Sequence, residues 1–317
     1  MPDRRRGFFS HVPRPEARAA GLSLGVGLAL LGVKFFAYFV TGSTAIFSDA
    51  LESIVNVAAA AMAAYALAYA HRPADASHPY GHGKVEFLSA GIEGGMMLVA
   101  ALVAGVQAVN ALIHPPVLQN QRLEQGLLLM GGALLVNGLM GLHLLRTGRR
   151  HKSITLEADG KHLLSDAVTS VATIAGVGLV RVSGWRWADP AAALVVAAYI
   201  TVVGVGLLRR AEGGLMDRQD RDDDELLRGL LDAHLREGGA EPRVCSYHKL
   251  RHRHQGRYHW VDFHLVVPAD WDVARGHDVA SRIEREIEQA LGEGNATAHV
   301  EPCRGDGCGI CGSGGAE

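Results

Sequence analysis

The sequence has few cysteines, little net charge and none of the short motifs that mark common enzymes. All four cysteines lie at or after Cys245, so the residues before it contain no disulfide framework, and we expect reduced thiols in a cytosolic last third. The formal net charge of −2 gives no sign of a polyanionic partner, so nucleic-acid binding is not expected. No HExxH, GxSxG or Walker-type loop occurs at a suitable place. We therefore expect neither an enzyme nor transport driven by ATP.

Long apolar runs occupy the chain up to about Leu208, and the remainder is charged and rich in histidine. A helix needs about 20 apolar residues to cross a bilayer. Six stretches of this length occur, namely residues 19–40, 43–70, 86–112, 123–145, 156–182 and 187–208. No small-residue cleavage site follows a short apolar core, so the first run is interpreted as a membrane helix rather than as a signal peptide.

Basic residues in the short segments between the runs predict the orientation in the bilayer. One side receives the amino terminus, the loop after the fourth run and the end of the sixth, with Arg4, Arg5, Arg6, Arg14, Arg18, Arg146, Arg149, Arg150, Lys152, Arg209 and Arg210. The opposite side receives Arg122, Arg181 and Arg186. Both termini are therefore expected in the cytosol.

The last third predicts a small cytosolic α/β domain in the order α-β-β-α-β. An acidic helix start comes first, then a hairpin around Gln255-Gly256, then a helix that ends at Gly292, then a short strand. The fold class is thus an α-helical membrane protein with six transmembrane helices and a C-terminal α/β domain. The expected divisions are a cytosolic segment, the six-helix domain, the cytosolic domain and a Cys/Gly-rich tail, at residues 1–18, 19–210, 211–302 and 303–317.

Two predicted spans carry polar side chains at helical spacing. Glu52 and Asn56 share a face of the second span, and His162 and Asp166 share a face of the fifth. Ionisable groups are costly in a bilayer, and one imidazole with carboxylate and amide oxygens suits Zn²⁺, Fe²⁺ or Mn²⁺. Asp49, one turn before Glu52, is a further candidate ligand or proton acceptor. The alternative is that these side chains only hydrogen-bond helices to one another.

Three features together resemble the cation diffusion facilitator family, in its bacterial branch of zinc and ferrous-iron efflux transporters. They are HPYGHGKVE after the second span, the HxxxD pattern of His162 and Asp166, and the histidine-rich last third. The resemblance extends from about Ala19 to Pro302. It implies a homodimer in the bacterial inner membrane, with six spans and a cytosolic metal-sensing domain, that exchanges a divalent cation for protons.

The resemblance also implies where metal ions bind. The transport site would consist of Glu52, Asn56, His162 and Asp166, and a loop site would consist of Asp75, His78 and His82. A binuclear site in the cytosolic domain would consist of His248, His264, His277, His299 and Glu301. Lys84 and Asp217 would form an interlock near the membrane face of the dimer. The second span departs from the family pattern, since the bacterial branch commonly has two Asp where this chain has Glu52 and Asn56. Asn56 can coordinate a metal through its oxygen, but it cannot titrate.

The remaining histidines of the last third have a less specific pattern. His248, His252 and His254 alternate along the predicted first strand, so they are predicted to share a face. His252, His254 and His259 have no place in the pattern that the resemblance implies, and we expect them to face solvent.

The chain ends in a Cys-x4-Cys-x2-Cys pattern at Cys303, Cys308 and Cys311. Three thiolates, with or without Cys245, suit Zn²⁺, and an iron–sulfur cluster would need a fourth ligand. The alternative is a Gly-rich end whose thiols have no ligand role. The family resemblance does not extend to these cysteines.

The sequence therefore predicts a transporter that expels a divalent transition metal from the cytosol by metal/proton antiport, with allosteric metal sites in the cytosolic domain. Zn²⁺ is the expected ion, and Fe²⁺, Mn²⁺ and Cd²⁺ are alternatives. The expected partners are a second copy of the chain, protons and the lipid bilayer. Two other interpretations stay open: a membrane-anchored metal sensor or scaffold, and a passive metal channel.

Overall fold

The chain folds into two compact units, Met1–Leu215 and Met216–Glu317. The computed structural model describes residues 9–41, 44–114, 123–183, 187–235 and 243–304. The described part of the first unit contains six α-helices: α1 (Arg14–Thr41), α2 (Thr44–Ala70), α3 (Lys84–Ile113), α4 (Leu123–His151), α5 (Ile154–Ser183) and α6 (Ala188–Leu215).

The six helices have the lengths that membrane spans require. The shortest has 27 residues and therefore measures about 40 Å at 1.5 Å per residue, against a hydrocarbon layer of about 30 Å. Among the described residues, windows in α1, α2, α3 and α6 are also apolar enough to cross a membrane by composition. The described part of α5 carries charged residues in its first half, including Glu157, Asp159 and Asp166.

Two helix pairs approach so closely that a side chain larger than hydrogen would crowd backbone atoms of the neighbouring helix. Between α4 and α5, a Cβ atom added to Gly160 would lie 2.7 Å from the backbone nitrogen of Leu145. Between α3 and α6, a Cβ atom on Gly94 would lie 3.0 Å from the carbonyl oxygen of Gly204, and the converse distance is 3.1 Å. Small residues allow such backbone approach between membrane helices, where dispersion contacts drive packing.

The second unit has the predicted order α-β-β-α-β. Its elements are α7 (Arg221–Ala233), β1 (Ser246–Gln255), β2 (Tyr258–Val267), α8 (Val273–Leu291) and β3 (Gly294–Pro302). The sheet order is β1-β2-β3, with β1 antiparallel and β3 parallel to β2. Apolar side chains of both helices, including Leu231 and Ile283, pack against Phe263 and its neighbours on one face of β2.

Helix ends and turns in this unit follow the sequence signals. The side chain of Asp220 caps α7 by accepting hydrogen bonds from the backbone N–H groups of Asp222 and Asp223. Gly292, at φ 92°, ends α8, and Gly256, at φ 64°, lies in the hairpin. The turn residues predicted from the sequence are therefore confirmed.

A β-bulge in β1 changes which histidines share a face. The register shifts between His248 and Arg251, and Lys249 has φ 52°, in the left-handed region. His248 pairs with His264, whereas His252 pairs with the buried Val261. One extra residue inverts the alternation beyond it. The prediction that His248, His252 and His254 share one face is therefore wrong.

Candidate metal sites

Three of the predicted transport-site side chains converge between α2 and α5. Asn56 donates from Nδ2 to Oδ2 of Asp166 at 3.1 Å, and its Oδ1 lies 3.3 Å from Nε2 of His162. The same imidazole nitrogen lies 4.0 Å from Oδ2 of Asp166. The side chains of Asn56, His162 and Asp166 therefore lie next to one another inside the first unit. The side chains of Glu52 and Asp49 lie outside the described residues.

A small cavity with several polar side chains in its lining adjoins the three converging side chains. It has a volume of about 30 Å³, enough for a water molecule, and its lining includes Lys34, Asn56, Asn137 and Asp159. Asp159 is buried and accepts a hydrogen bond from the hydroxyl of Ser23 at 2.8 Å. Sequence reasoning did not connect Ser23 or Asn137 with the site. Their polarity within apolar helices was the available signal.

The loop between α2 and α3 brings together the predicted Asp75, His78 and His82. Oδ2 of Asp75 lies 3.4 Å from Nε2 of His82, and Oδ1 lies 3.5 Å from Nδ1 of His78. The hydroxyl of Ser77 and the backbone N–H of His78 donate hydrogen bonds to Asp75. These hydrogen bonds, of which the one from Ser77 has the largest effect, hold the pKa of this carboxyl well below its usual range. The loop therefore presents a carboxylate and two imidazoles together.

The exposed face of the sheet carries the predicted histidines in a row across three strands. His248 lies opposite His264, which in turn lies beside His299. Glu301 accepts a hydrogen bond from Nδ1 of His264 at 2.7 Å, and its other oxygen lies 3.4 Å from Nε2 of His248. His264 is the main reason why the pKa of Glu301 is lowered. His277 is exposed near the start of α8 and is not among the side chains that meet at Glu301.

The opposite face of the sheet holds a second histidine cluster. His252 and His259 are buried and His254 is half-buried, so the prediction that all three face solvent is wrong. The bulge turns His252 and His254 toward the side where Val261 is buried. Asp223 of α7 contacts both His254 and His259, a tertiary contact that no sequence spacing indicated.

Two predicted sets remain, the cysteines of the tail and the interlock. The structure describes the first only in part, and the second would involve both units. Cys303 follows β3, and its backbone N–H donates to the carbonyl oxygen of Val267 at 2.8 Å, whereas Cys308 and Cys311 lie outside the described residues. Lys84 donates to the carbonyl oxygen of Leu215 at 3.5 Å, and Arg253 donates to Asp217 at 3.3 Å. The interlock between Lys84 and Asp217 would join the two units, and it stays a prediction.

Both units match family models. Residues 21–216 match the cation efflux transmembrane domain, and residues 239–303 match the cytoplasmic domain of cation efflux proteins. The chain belongs to the cation efflux family. This is the cation diffusion facilitator family that the HPYGHGKVE and HxxxD motifs indicated, and the family consists of transporters rather than enzymes. This cation efflux protein is accordingly a membrane protein with a cytoplasmic domain.

Curated relatives match this cation efflux protein over most of its length. It is 40% identical over 283 residues to an uncharacterized transporter from Synechocystis sp., covering 89% of each chain. It is 28% identical to the cation-efflux pump FieF of Salmonella arizonae, covering 92% of this chain and 94% of the relative. A solved structure of the candidate zinc transporter CzrB is 32% identical, with TM-score 0.24, and covers 27% of this chain and 98% of that chain.

Proposed function

We propose that this cation efflux protein is a homodimeric metal/proton antiporter that expels a divalent transition metal across the bacterial inner membrane, with both termini in the cytosol. The convergence of Asn56, His162 and Asp166 between α2 and α5 is the observation that carries the proposal. Two helices that share one ion can expose it to either side of the membrane by moving against each other. Glu52, on the same face of α2 as Asn56, completes the proposed ligand set.

The donor chemistry supports Zn²⁺ as the substrate, with Fe²⁺, Mn²⁺ and Cd²⁺ as competitors. One imidazole nitrogen with carboxylate and amide oxygens is a mixed set that borderline divalent ions accept. Two carboxylates, Glu52 and Asp166, would balance the charge of a divalent cation and reduce the cost of burying both. The set contains no thiolate, which disfavours Cu⁺.

Proton exchange follows from the same ligands. A metal ion requires a neutral imidazole and ionised carboxylates, so protonation of His162 and Asp166 competes with binding. An imidazole changes its charge within the physiological pH range, which suits release of the ion on the more acidic side. Asn56 contributes an oxygen but no proton, so exchange depends on the remaining three groups and on nearby acids such as Asp159 or Asp49.

The cytoplasmic domain is proposed to regulate transport. His248, His264, His299 and Glu301 lie together on an exposed sheet face, and such a face can bind metal jointly with a second subunit, to which His277 would contribute. Metal binding there favours transport only if the ion binds more tightly to the transporting conformation. The loop site at Asp75, His78 and His82 would capture ions before entry.

Flux in proteoliposomes tests the transport proposal. The full-length chain is reconstituted with a pH dye, and Zn²⁺, Fe²⁺, Mn²⁺ and Cd²⁺ are added in turn. Metal-driven proton release is expected for the unaltered chain and is expected to vanish for His162→Ala and for Asp166→Ala. His143→Ala is the matched control, because His143 is an exposed histidine of α4.

Each rival interpretation gives a different result in that experiment. Metal entry without proton movement would identify a passive channel. Metal binding by the protein with no flux of either ion would identify a sensor or scaffold. Unchanged flux in both site variants would remove the assignment of the site between α2 and α5.

A further inference from the structure

The second histidine cluster of the cytoplasmic domain has the geometry of a metal site. Nε2 of His254 and Nδ1 of His259 each lie 3.2 Å from the same oxygen, Oδ2 of Asp223. The two imidazole rings are 4.5 Å apart between centroids. Ligand atoms from all three side chains lie within 4.8 Å of one another. Two ligands bound to Zn²⁺ at 2.0–2.1 Å in tetrahedral geometry are separated by about 3.3 Å, close to both measured distances.

Three separate elements of the fold bring these side chains together. His254 and His259 are directly opposite each other across the β1–β2 hairpin, next to the turn at Gly256. The bulge at Lys249 places His254 on the same side as the core rather than on the side of His248. Asp223 lies in the first turn of α7, where Asp220 caps the helix and fixes its start. The helix dipole there favours the ionised carboxylate.

Burying the polar atoms of this cluster costs free energy unless a bound ion or a hydrogen bond compensates for the lost water. The side chain of His259 is 3% exposed, and its Nε2 atom has no hydrogen-bond partner among the described residues. Two adjacent imidazoles and one carboxylate are therefore held together where little of their surface reaches solvent.

We propose that Asp223, His254 and His259 bind a divalent transition-metal ion of the Zn²⁺ class, at a site distinct from the histidine row on the opposite face. Two imidazoles and one carboxylate are the donors of many three-ligand Zn²⁺ and Fe²⁺ sites, in which water occupies a remaining position. The ion would join the start of α7 to the β1–β2 hairpin. The cytoplasmic domain would then hold metal on both faces of its sheet.

Metal stoichiometry of the full-length chain tests this site. Protein in detergent is stripped with a chelator, loaded with Zn²⁺ alone and desalted, and bound zinc per chain is counted by mass spectrometry. His254→Ala is the deciding variant, because His254 is half-buried and its removal leaves the core intact. We expect a loss of one zinc per chain, both alone and in a His264→Ala background. Asp223→Asn is expected to lower zinc affinity at least about tenfold.

His234→Gln is the matched control. His234 is a buried histidine of the same domain whose Nε2 lies 2.9 Å from Oε2 of Glu286. Its variant is expected to keep the full zinc count. An unchanged count in His254→Ala would overturn the proposal and leave the cluster as an ion pair between α7 and the hairpin. Additivity with His264→Ala separates this result from any failure of the transport site.

Discussion

His248 and His252 are four residues apart in β1, yet they lie on opposite faces of the sheet, because a bulge at Lys249 inserts one residue between their pairing positions. His248 faces Glu301 on the exposed side, and His252 is buried on the other side with Nε2 3.8 Å from Asp224. A single backbone irregularity therefore divides the histidines of the hairpin into two clusters.

Replacing Lys249 with Val is expected to destabilise the cytoplasmic domain by about 1–2 kcal/mol, because a β-branched side chain is strained at φ 52°. Thermal unfolding of the metal-free chain, followed by circular dichroism, measures the change. Lys249→Gly is expected to retain the native melting temperature or raise it slightly, because glycine adopts this conformation without strain. Equal destabilisation by both substitutions would show that the side chain, rather than the backbone conformation, matters.

Replacing Asn56 with Asp is expected to tighten Zn²⁺ binding at the proposed transport site about tenfold and to increase the number of protons exchanged per ion. The substitution removes the hydrogen bond from Nδ2 to Asp166 and places two carboxylates together, which favours either a cation or a proton between them. Zinc titration and proton counting in proteoliposomes measure both effects. Asn137→Asp is the control for the effect of an added charge alone, because Asn137 lines the adjoining cavity. Identical zinc affinity and proton count for Asn56→Asp would show that residue 56 is not a ligand.

Replacing Asp224 with Asn is expected to lower stability slightly, by less than about 1 kcal/mol, at pH values where the carboxyl is ionised. The hydrogen bond from Arg228 at 2.8 Å is the main cause that lowers the pKa of Asp224. A carboxyl whose pKa is lowered on folding stabilises the fold above its unfolded pKa of about 4 and loses this effect as pH falls through the folded value. Melting curves of variant and parent should therefore differ at pH 7 and converge as the pH falls below the unfolded pKa of about 4. A difference that persists in strong acid would contradict this origin.

Replacing Gly160 with Ala is expected to disrupt the first unit by several kcal/mol, because the new methyl group would lie 2.7 Å from the backbone of Leu145. Yield of folded protein in detergent and its melting temperature measure the loss. Gly206→Ala in α6 is the matched control, since a Cβ atom there meets nothing within 4 Å. Comparable melting temperatures for the two variants would mean that α4 and α5 separate at no cost.

The sequence predicted elements and motif positions well where the signal is local. The six long helices and the α-β-β-α-β order follow from apolar run length, periodicity and turn residues such as Gly256 and Gly292. The convergence of Asn56 with His162 and Asp166 follows from helical spacing on two helices and from the family resemblance.

Two features depended on three-dimensional contacts and were beyond such reasoning. A lysine in the left-handed conformation gives no local sign of a bulge, so the faces of His252 and His254 were assigned incorrectly. Asp223 reaches His259 only because α7 packs on the sheet, and no sequence pattern near Asp223 indicates that contact. Ser23 and Asn137 line the cavity of α1, α2, α4 and α5 for the same reason.

The glycine contacts between α4 and α5 and between α3 and α6 restrict how the bundle can move. Backbones in such close contact leave little room for rotation or sliding, so we expect the two helices of each pair to move together. The contact between α2 and α5 is much less extensive, and Asn56 and His162 face each other across it. An ion bound at the proposed site would join α2 to the α4–α5 pair, and its release would leave that contact free to change.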